Sequence, residues 1–270
     1  MDPVTVTRGE SCLVLAMPHT GTWLPEEVQG ALNDRGRALA DTDWHVDRLY
    51  ADLVPDATIV RANFHRYAID ANRDPEGRSL YPGQNTTGLC PVTDFDGAAI
   101  YRDGREPDAA EIERRRRAFH APYHAALARE LERVRDAHGV AVLYDCHSIR
   151  SRIPFLFEGV LPDFNIGTNG GLACAAKMET AVAEICASAN GYTSVVNGRF
   201  KGGWTTRHYG RPEDGVHAVQ MELAQSAYLA SEALPFAYDE ARAGRIRPHL
   251  KTILDTLIAL AKAPATAREA

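Results

Sequence analysis

Short apolar runs alternate with longer stretches of helical period, and this alternation constrains the fold more than any other feature. The runs lie at 12–17, 57–62, 140–144, 193–197 and 218–223. Runs of this length suit strands buried inside a sheet. The helical stretches lie at about 24–36, 42–53, 109–138, 171–190 and 238–262. Strands that alternate with helices imply an α/β fold: one domain over 1–270, with a mixed, mostly parallel central sheet flanked by helices. Pro122 is expected to kink or split the longest helix. The segment 74–108 is rich in Gly, Pro, Thr, Asn and Asp and lacks periodicity. A connection this long inside a domain is more often functional than idle, so it reads as a lid or a pocket rim. A flexible tail is expected at 263–270.

Charge and cysteine usage narrow the function classes. Lys and Arg total 30 against 36 Asp and Glu, a net charge of -6. That balance excludes the basic field of a typical nucleic-acid binder. The Glu111-Ile-Glu-Arg-Arg-Arg-Arg117 run is the one local exception, and its acidic neighbours and helical period make it a solvated face. The five cysteines, Cys12, Cys90, Cys146, Cys174 and Cys186, contain no CxxC pair. They read as reduced packing residues rather than a disulfide framework or a zinc knuckle. No signal-peptide pattern and no apolar run near the roughly 20 residues of a membrane helix is visible. A cytoplasmic protein, monomeric or a small homo-oligomer, is the expectation.

The reactive residues gather where apolar runs end. His19, in Met17-Pro-His-Thr-Gly, should sit just past the carboxyl end of a strand, the edge where open parallel sheets bind ligands. It is either a site residue or a turn residue with a local hydrogen bond. In Tyr144-Asp-Cys-His-Ser148, Asp145 and His147 share one face of an extended chain. Histidines at the ends of two strands can grip one metal ion, with Asp145 as acceptor for the second ring nitrogen of His147. The alternative is a capped histidine at a buried strand end. Asp41, Asp43 and Asp47 crowd a helix start. Helix capping explains Asp41 well, whereas a carboxylate beside two histidines completes the usual catalytic zinc set. Asn72-Arg73 either offers directional donors for a carboxylate or is an ordinary surface pair in a turn before Pro75. Glu222 lies inside an apolar strand, where an unused carboxylate is costly, and a carboxylate beside a metal site suits general-base hydrolysis; the alternative is exposure at the strand end. The loop at 198–210 combines Gly202-Gly203 with Arg199, Lys201 and Arg207. It is either a flap that closes on an anionic substrate or an ordinary surface loop.

The order His19, Asp43, Asp70-x-Asn72-Arg73, Asp145-x-His147-Ser148, Lys201-Gly-Gly, Arg207-His-Tyr-Gly and Glu222 resembles the N-formylglutamate amidohydrolase (deformylase) family over about 13–228. More distantly it is similar to aspartoacylases and zinc carboxypeptidases. The resemblance implies a zinc carboxypeptidase-like fold and one Zn2+ per chain, or another divalent metal, held by His19 and His147. It also implies a carboxylate clamp of Asn72 and Arg73, with Glu222 as the general base. Those relatives carry the acidic ligand three residues after the first histidine, where this chain has Thr22. Asp43 is therefore expected as the third ligand, with Asp47 and Glu26 as alternates. The implied reaction is hydrolysis of N-formyl-L-glutamate to formate and glutamate, a step of histidine degradation. The substrate would be a small dianionic N-acyl amino acid, its second carboxylate met by Lys201 or Arg207.

Three rivals stand beside this expectation. A zinc-dependent deacylase could act on another N-acyl amino acid, such as N-formyl- or N-acetylaspartate. A non-enzymatic carboxylate-binding protein would account for Thr22. A Cys146–His147 hydrolase is badly arranged, because adjacent strand residues point to opposite faces.

Overall fold

The computed structural model describes residues 1–80 and 82–263; the expected tail, apart from Ala263, lies outside them. The strands are β1 (Val4–Thr7), β2 (Leu13–Met17), β3 (Thr58–Ala62), β4 (Ala141–Ile149), β5 (Phe164–Gly167), β6 (Ser194–Val196) and β7 (Val216–Ala224). Among the described residues they form one seven-stranded sheet in the order β1-β3-β2-β4-β7-β5-β6. β2 runs parallel to β3 and β4, β4 to β7, and β5 to β6. β1 and β5 pair antiparallel with β3 and β7. The sheet is thus mixed and mostly parallel, as the alternation implies.

The helices are α1 (Glu26–Ala31), α2 (Asp34–Arg37), α3 (Val46–Tyr50), α4 (Ala109–Arg115), α5 (Ala121–His138), α6 (Ala176–Ala187), α7 (Trp204–Tyr209) and α8 (Glu240–Lys262). They cover both faces of the sheet. Leu13, Leu15, Val142, Tyr144, Cys146 and Met221 pack with α3, α6 and α8. Val14, Ala16, Leu143 and Ala218 pack with α5. Burying both faces is what lets β2 and β4 be buried throughout.

Several elements depart from the sequence expectations. The stretch 24–36 splits into α1 and α2, because Leu32 turns extended to bridge Tyr101 and Asn33 caps α2 through the Gly36 amide. Within 42–53 only α3 is helical, since His45 adopts a positive φ of 59° and ends the turn before it. Asp41 caps no helix; it accepts the Tyr67 hydroxyl at 2.8 Å and the Phe95 amide at 2.9 Å. The longest helix divides as Pro122 implies: a π turn at Arg116–His120 separates α4 from α5, and Pro122 sits in the first turn of α5. β1, β5 and α7 carry too few residues to stand out by periodicity.

Candidate active site

The carboxyl ends of β2, β4 and β7 meet at one edge of the sheet. Register sets His147 of β4 beside Glu222 of β7, and Asp145 beside Gln220. Alternation places these four on the face of Ala141 and Leu143, opposite Cys146. His19 follows β2 by two residues, and its carbonyl accepts the Asp43 amide at 3.1 Å. Asp43 is thereby drawn to the same edge from the loop before α3.

Three donor atoms converge there. His19 Nδ1 lies 3.2 Å from His147 Nδ1, and Asp43 Oδ2 lies 3.1 Å from His147 Nδ1 and 3.8 Å from His19 Nδ1. Donors around a tetrahedral zinc ion stand about 3.3 Å apart, given metal–ligand distances near 2.0–2.1 Å. The His19, Asp43 and His147 cluster is therefore a candidate metal site, and its all-buried donor set fits such an ion. His19 Nε2 lies 2.7 Å from Asp70 Oδ1 in a hydrogen bond, whereas His147 Nε2 lies 3.0 Å from Asn72 Nδ2 and 3.1 Å from Asp145 Oδ1, the latter outside hydrogen-bond geometry. The Asp70 partner fixes the His19 ring so that Nδ1 points inward. Asp47 instead pairs with Arg61 at 2.8 Å, and Glu26 lies exposed on α1, so neither alternate joins the cluster.

Buried charge balances buried charge around this cluster. Arg66 donates to Asp43 Oδ1 at 2.6 Å and lies over the Phe95 ring. Burial alone would raise Asp70, but His19, Arg73 and Arg66 hold its carboxyl well below the usual range. Burial likewise works against His147, yet Asp145 and Asp43 raise it well above an ordinary histidine. Burial pushes Glu222 up to about 8, with His147 and Arg66 opposing and Asp43 and Asp145 adding. Gln220 donates to Glu222 Oε2 at 3.2 Å and accepts the Gly203 amide at 2.7 Å.

A cavity opens beside these groups. Its lining includes His19, Asn72, His147 and Glu222, with Arg66, Arg73 and Arg199 as its cationic side chains. Asn85, Thr86, Thr87 and Phe95 of the 74–108 segment also line it, and Leu156 and Phe200 form an apolar wall.

The comparisons with known proteins point the same way. The sequence profile of N-formylglutamate amidohydrolase matches residues 11–229. The chain belongs to the N-formylglutamate amidohydrolase family. It is 46% identical over 262 residues to an N-formylglutamate deformylase of Pseudomonas aeruginosa, spanning 96% of this chain and 97% of that one. A Pseudomonas putida N-formylglutamate deformylase is 45% identical over 254 residues, spanning 93% and 94%. The crystal structure of N-formylglutamate amidohydrolase from Ralstonia eutropha matches with a TM-score of 0.80 at 27% identity, covering 97% of this chain and 99% of that one. An Agrobacterium tumefaciens structure at 21% identity and TM-score 0.72 shares the fold, covering 97% of each chain.

Within this amidohydrolase framework, the residues singled out from the sequence divide. His19, Asp43, Asn72, Arg73, His147 and Glu222 come together at the sheet edge. Lys201 is exposed, and Arg207 bonds the Gly202 and Leu80 carbonyls; neither lines the cavity. The loop that carries them does other work. Asn72 Oδ1 accepts the Thr205 amide at 2.9 Å, and its Nδ2 lies 3.0 Å from His147 Nε2. A Cβ on Gly203 would stand 2.3 Å from Asn72 Nδ2, so only glycine lets α7 begin there. Arg66, Asp70 and Gln220 were not assigned roles from the sequence, and Arg199 was named only as one of the three cations of the 198–210 loop. Arg66 stands four residues beyond the run 57–62, so the strand-end rule extended to β3 would have pointed to it, whereas Asp70, eight residues beyond, carries no such signal.

Cys146 lies in the core against Tyr144 and α8, and burial pushes its thiol well above the ordinary value. It faces away from His147, which removes the cysteine-hydrolase alternative. Among the described residues no helix is long and apolar enough to cross a membrane.

Proposed function

We propose that this chain hydrolyses N-formyl-L-glutamate to formate and L-glutamate in the cytoplasm, as a step of histidine degradation, using one divalent metal ion, zinc by its donor set. The observation that carries the reading is the convergence of His19, Asp43 and His147 beside buried Glu222, at the head of a cavity with cationic walls. The metal, when bound by those three residues, would polarise the formyl carbonyl and stabilise the charge that grows on its oxygen.

The remaining chemistry falls to the chain. Water adds to the formyl carbon and the C–N bond breaks. Glu222 takes a proton from the attacking water and returns it to the departing nitrogen, which gives the amine of glutamate and formic acid; the acid then loses its proton to the amine, so the products are formate and glutamate in its ammonium form. Gln220 holds one Glu222 oxygen and leaves the other to face the cavity. Asp70 keeps the His19 ring oriented, and Asp145 sets negative charge beside that of His147.

The substrate carries two carboxylates. We assign Arg73 and Asn72 to one, a reading supported by the Arg73 guanidinium being held at the cavity wall by the Thr87 carbonyl and hydroxyl. Arg199, held by the Leu156 and Asn85 carbonyls, is the nearer candidate for the other than Lys201 or Arg207.

Chelator-stripped protein should release no formate and regain activity with stoichiometric zinc. Glu222→Gln should keep its metal and KM while kcat falls about 10²–10⁴-fold. Full activity in verified metal-free protein would overturn the metal assignment. Faster turnover of N-formyl-L-aspartate or N-acetyl-L-glutamate would overturn the substrate assignment.

A further inference from the structure

We propose that one face of the 109–138 helical run, formed by Arg115, His120 and His124, is a positioning surface that fixes the 70–73 turn by gripping main-chain carbonyls. Three consecutive carbonyls of that turn are each engaged. His124 Nε2 lies 2.7 Å from the Ala71 carbonyl, and His120 Nε2 lies 3.1 Å from that of Arg73. Between them, the Asn72 carbonyl accepts the Trp204 amide at 3.4 Å. Just upstream, Arg115 Nη1 reaches the Ala68 carbonyl at 3.2 Å and the Tyr67 carbonyl at 3.4 Å.

The helix is built for this alignment. Arg115 and His120 are five residues apart, and an unbroken α-helix would turn them about 140° away from one another. The π turn at Arg116–His120 absorbs the extra residue, so that both side chains and His124 address one segment. This separates Arg115 from the rest of the arginine run: it is buried, whereas Arg114 and Arg117 are exposed.

A second layer holds the histidines themselves. His124 Nδ1 lies 3.1 Å from the Tyr209 hydroxyl. The Trp204 ring meets His124 edge-on at 4.5 Å and stacks on His208 at 4.1 Å. Helix α7 therefore braces His124 with its rings while its first amides hold Asn72. Burial keeps His120 and His124 below the ordinary histidine value, so each neutral ring donates through one nitrogen.

The turn matters because its side chains reach the site at three places. Asp70 orients His19, Asn72 touches His147, and Arg73 lines the cavity. A shift of about 1 Å in such a turn can cost about 10²-fold in rate or binding. Removing a donor leaves a buried carbonyl unpaired, and the turn then relaxes.

The test uses the full-length, metal-loaded protein and the variants His124→Leu, His124→Gln and Tyr209→Phe. Hydrogen exchange of the peptide spanning 70–74 is followed together with KM and kcat for N-formyl-L-glutamate. Gln can place a donor near the lost Nε2, so it serves as the rescue. In His124→Leu, exchange should rise about tenfold. KM should rise about tenfold with kcat within about threefold of wild type. His124→Gln should recover most of both, and Tyr209→Phe should show a smaller change in the same direction. Unchanged exchange in folded His124→Leu overturns the proposal, as does loss of metal or a global fall in Tm that accounts for the kinetics. Should His124→Leu not fold, unchanged exchange in Tyr209→Phe overturns it instead. The kinetic arm rests on the proposed substrate; the exchange arm does not. Wild-type protein inert toward N-formylglutamate would sink the substrate reading and leave the exchange result to decide this one.

Discussion

Arg66 and Arg117 carry the same guanidinium into opposite surroundings. Arg117 stands 75% exposed and shares the Glu113 carboxylate with Arg116 one helical turn back. Arg66 is 6% exposed, bonded to Asp43 and laid over Phe95 at the wall of the candidate active site. In the sequence the arginine run draws the eye and Arg66 does not. In the folded chain the run is mostly a solvated face, as its acidic neighbours imply, and the lone arginine balances the buried carboxylates of the site. Solvent makes the difference: exposed pairs contribute about 0–1 kcal/mol, whereas breaking a buried pair costs about 3–5 kcal/mol.

Removing Arg66 should break the comparison most sharply. Arg66→Met leaves Asp43 buried without its cation, so metal-free protein should lose about 3–5 kcal/mol in urea titration. Zinc should restore part of that loss if the metal proposal holds, because an ion at the proposed site of His19, Asp43 and His147 would supply positive charge to the same carboxylate. Equal loss with and without metal would mean that Arg66 matters for packing alone.

Glu111 tests an intermediate case, since it pairs with exposed Arg114 and buried Arg115. The Arg114 hydrogen bond, supported by Arg115, depresses its carboxyl to about 2 from an ordinary 4.5. A depressed acid stabilises the fold fully above the unfolded value and loses that contribution as pH falls through the folded one. Glu111→Gln should therefore cost on the order of 1 kcal/mol at neutral pH. The gap to wild type should close between pH 4.5 and 2. A pH-independent gap in thermal melts would assign the loss to packing.

Arg117→Ala should have the smallest effect, within about 0.5 kcal/mol of wild type and with unchanged kinetics. A larger loss in Tm or kcat/KM would show that the run does more than solvate a helix.

The legible part of the site followed one rule. His19, His147 and Glu222 stand at or just beyond the ends of apolar runs, and in a parallel sheet those ends share an edge. Asp43 was legible only as one of three nearby carboxylates, since a sequence does not say which of them a loop turns inward. The His19 carbonyl and Arg66 decide that. Lys201 and Arg207 were picked out for charge and for their glycine neighbours. Those glycines answer a packing demand instead, the close approach of α7 to Asn72.

By itself, the sequence determined the α/β class, the mostly parallel sheet and the strand ends that hold the reactive residues. Period and run length are local properties, and burial on both faces leaves one way to satisfy them. Only the tertiary structure decided which carboxylate meets the two histidines, which arginines enter the cavity and that a π turn aims Arg115, His120 and His124 at the 70–73 turn. Those choices join residues far apart in the chain through single hydrogen bonds, and no local pattern records such a pairing.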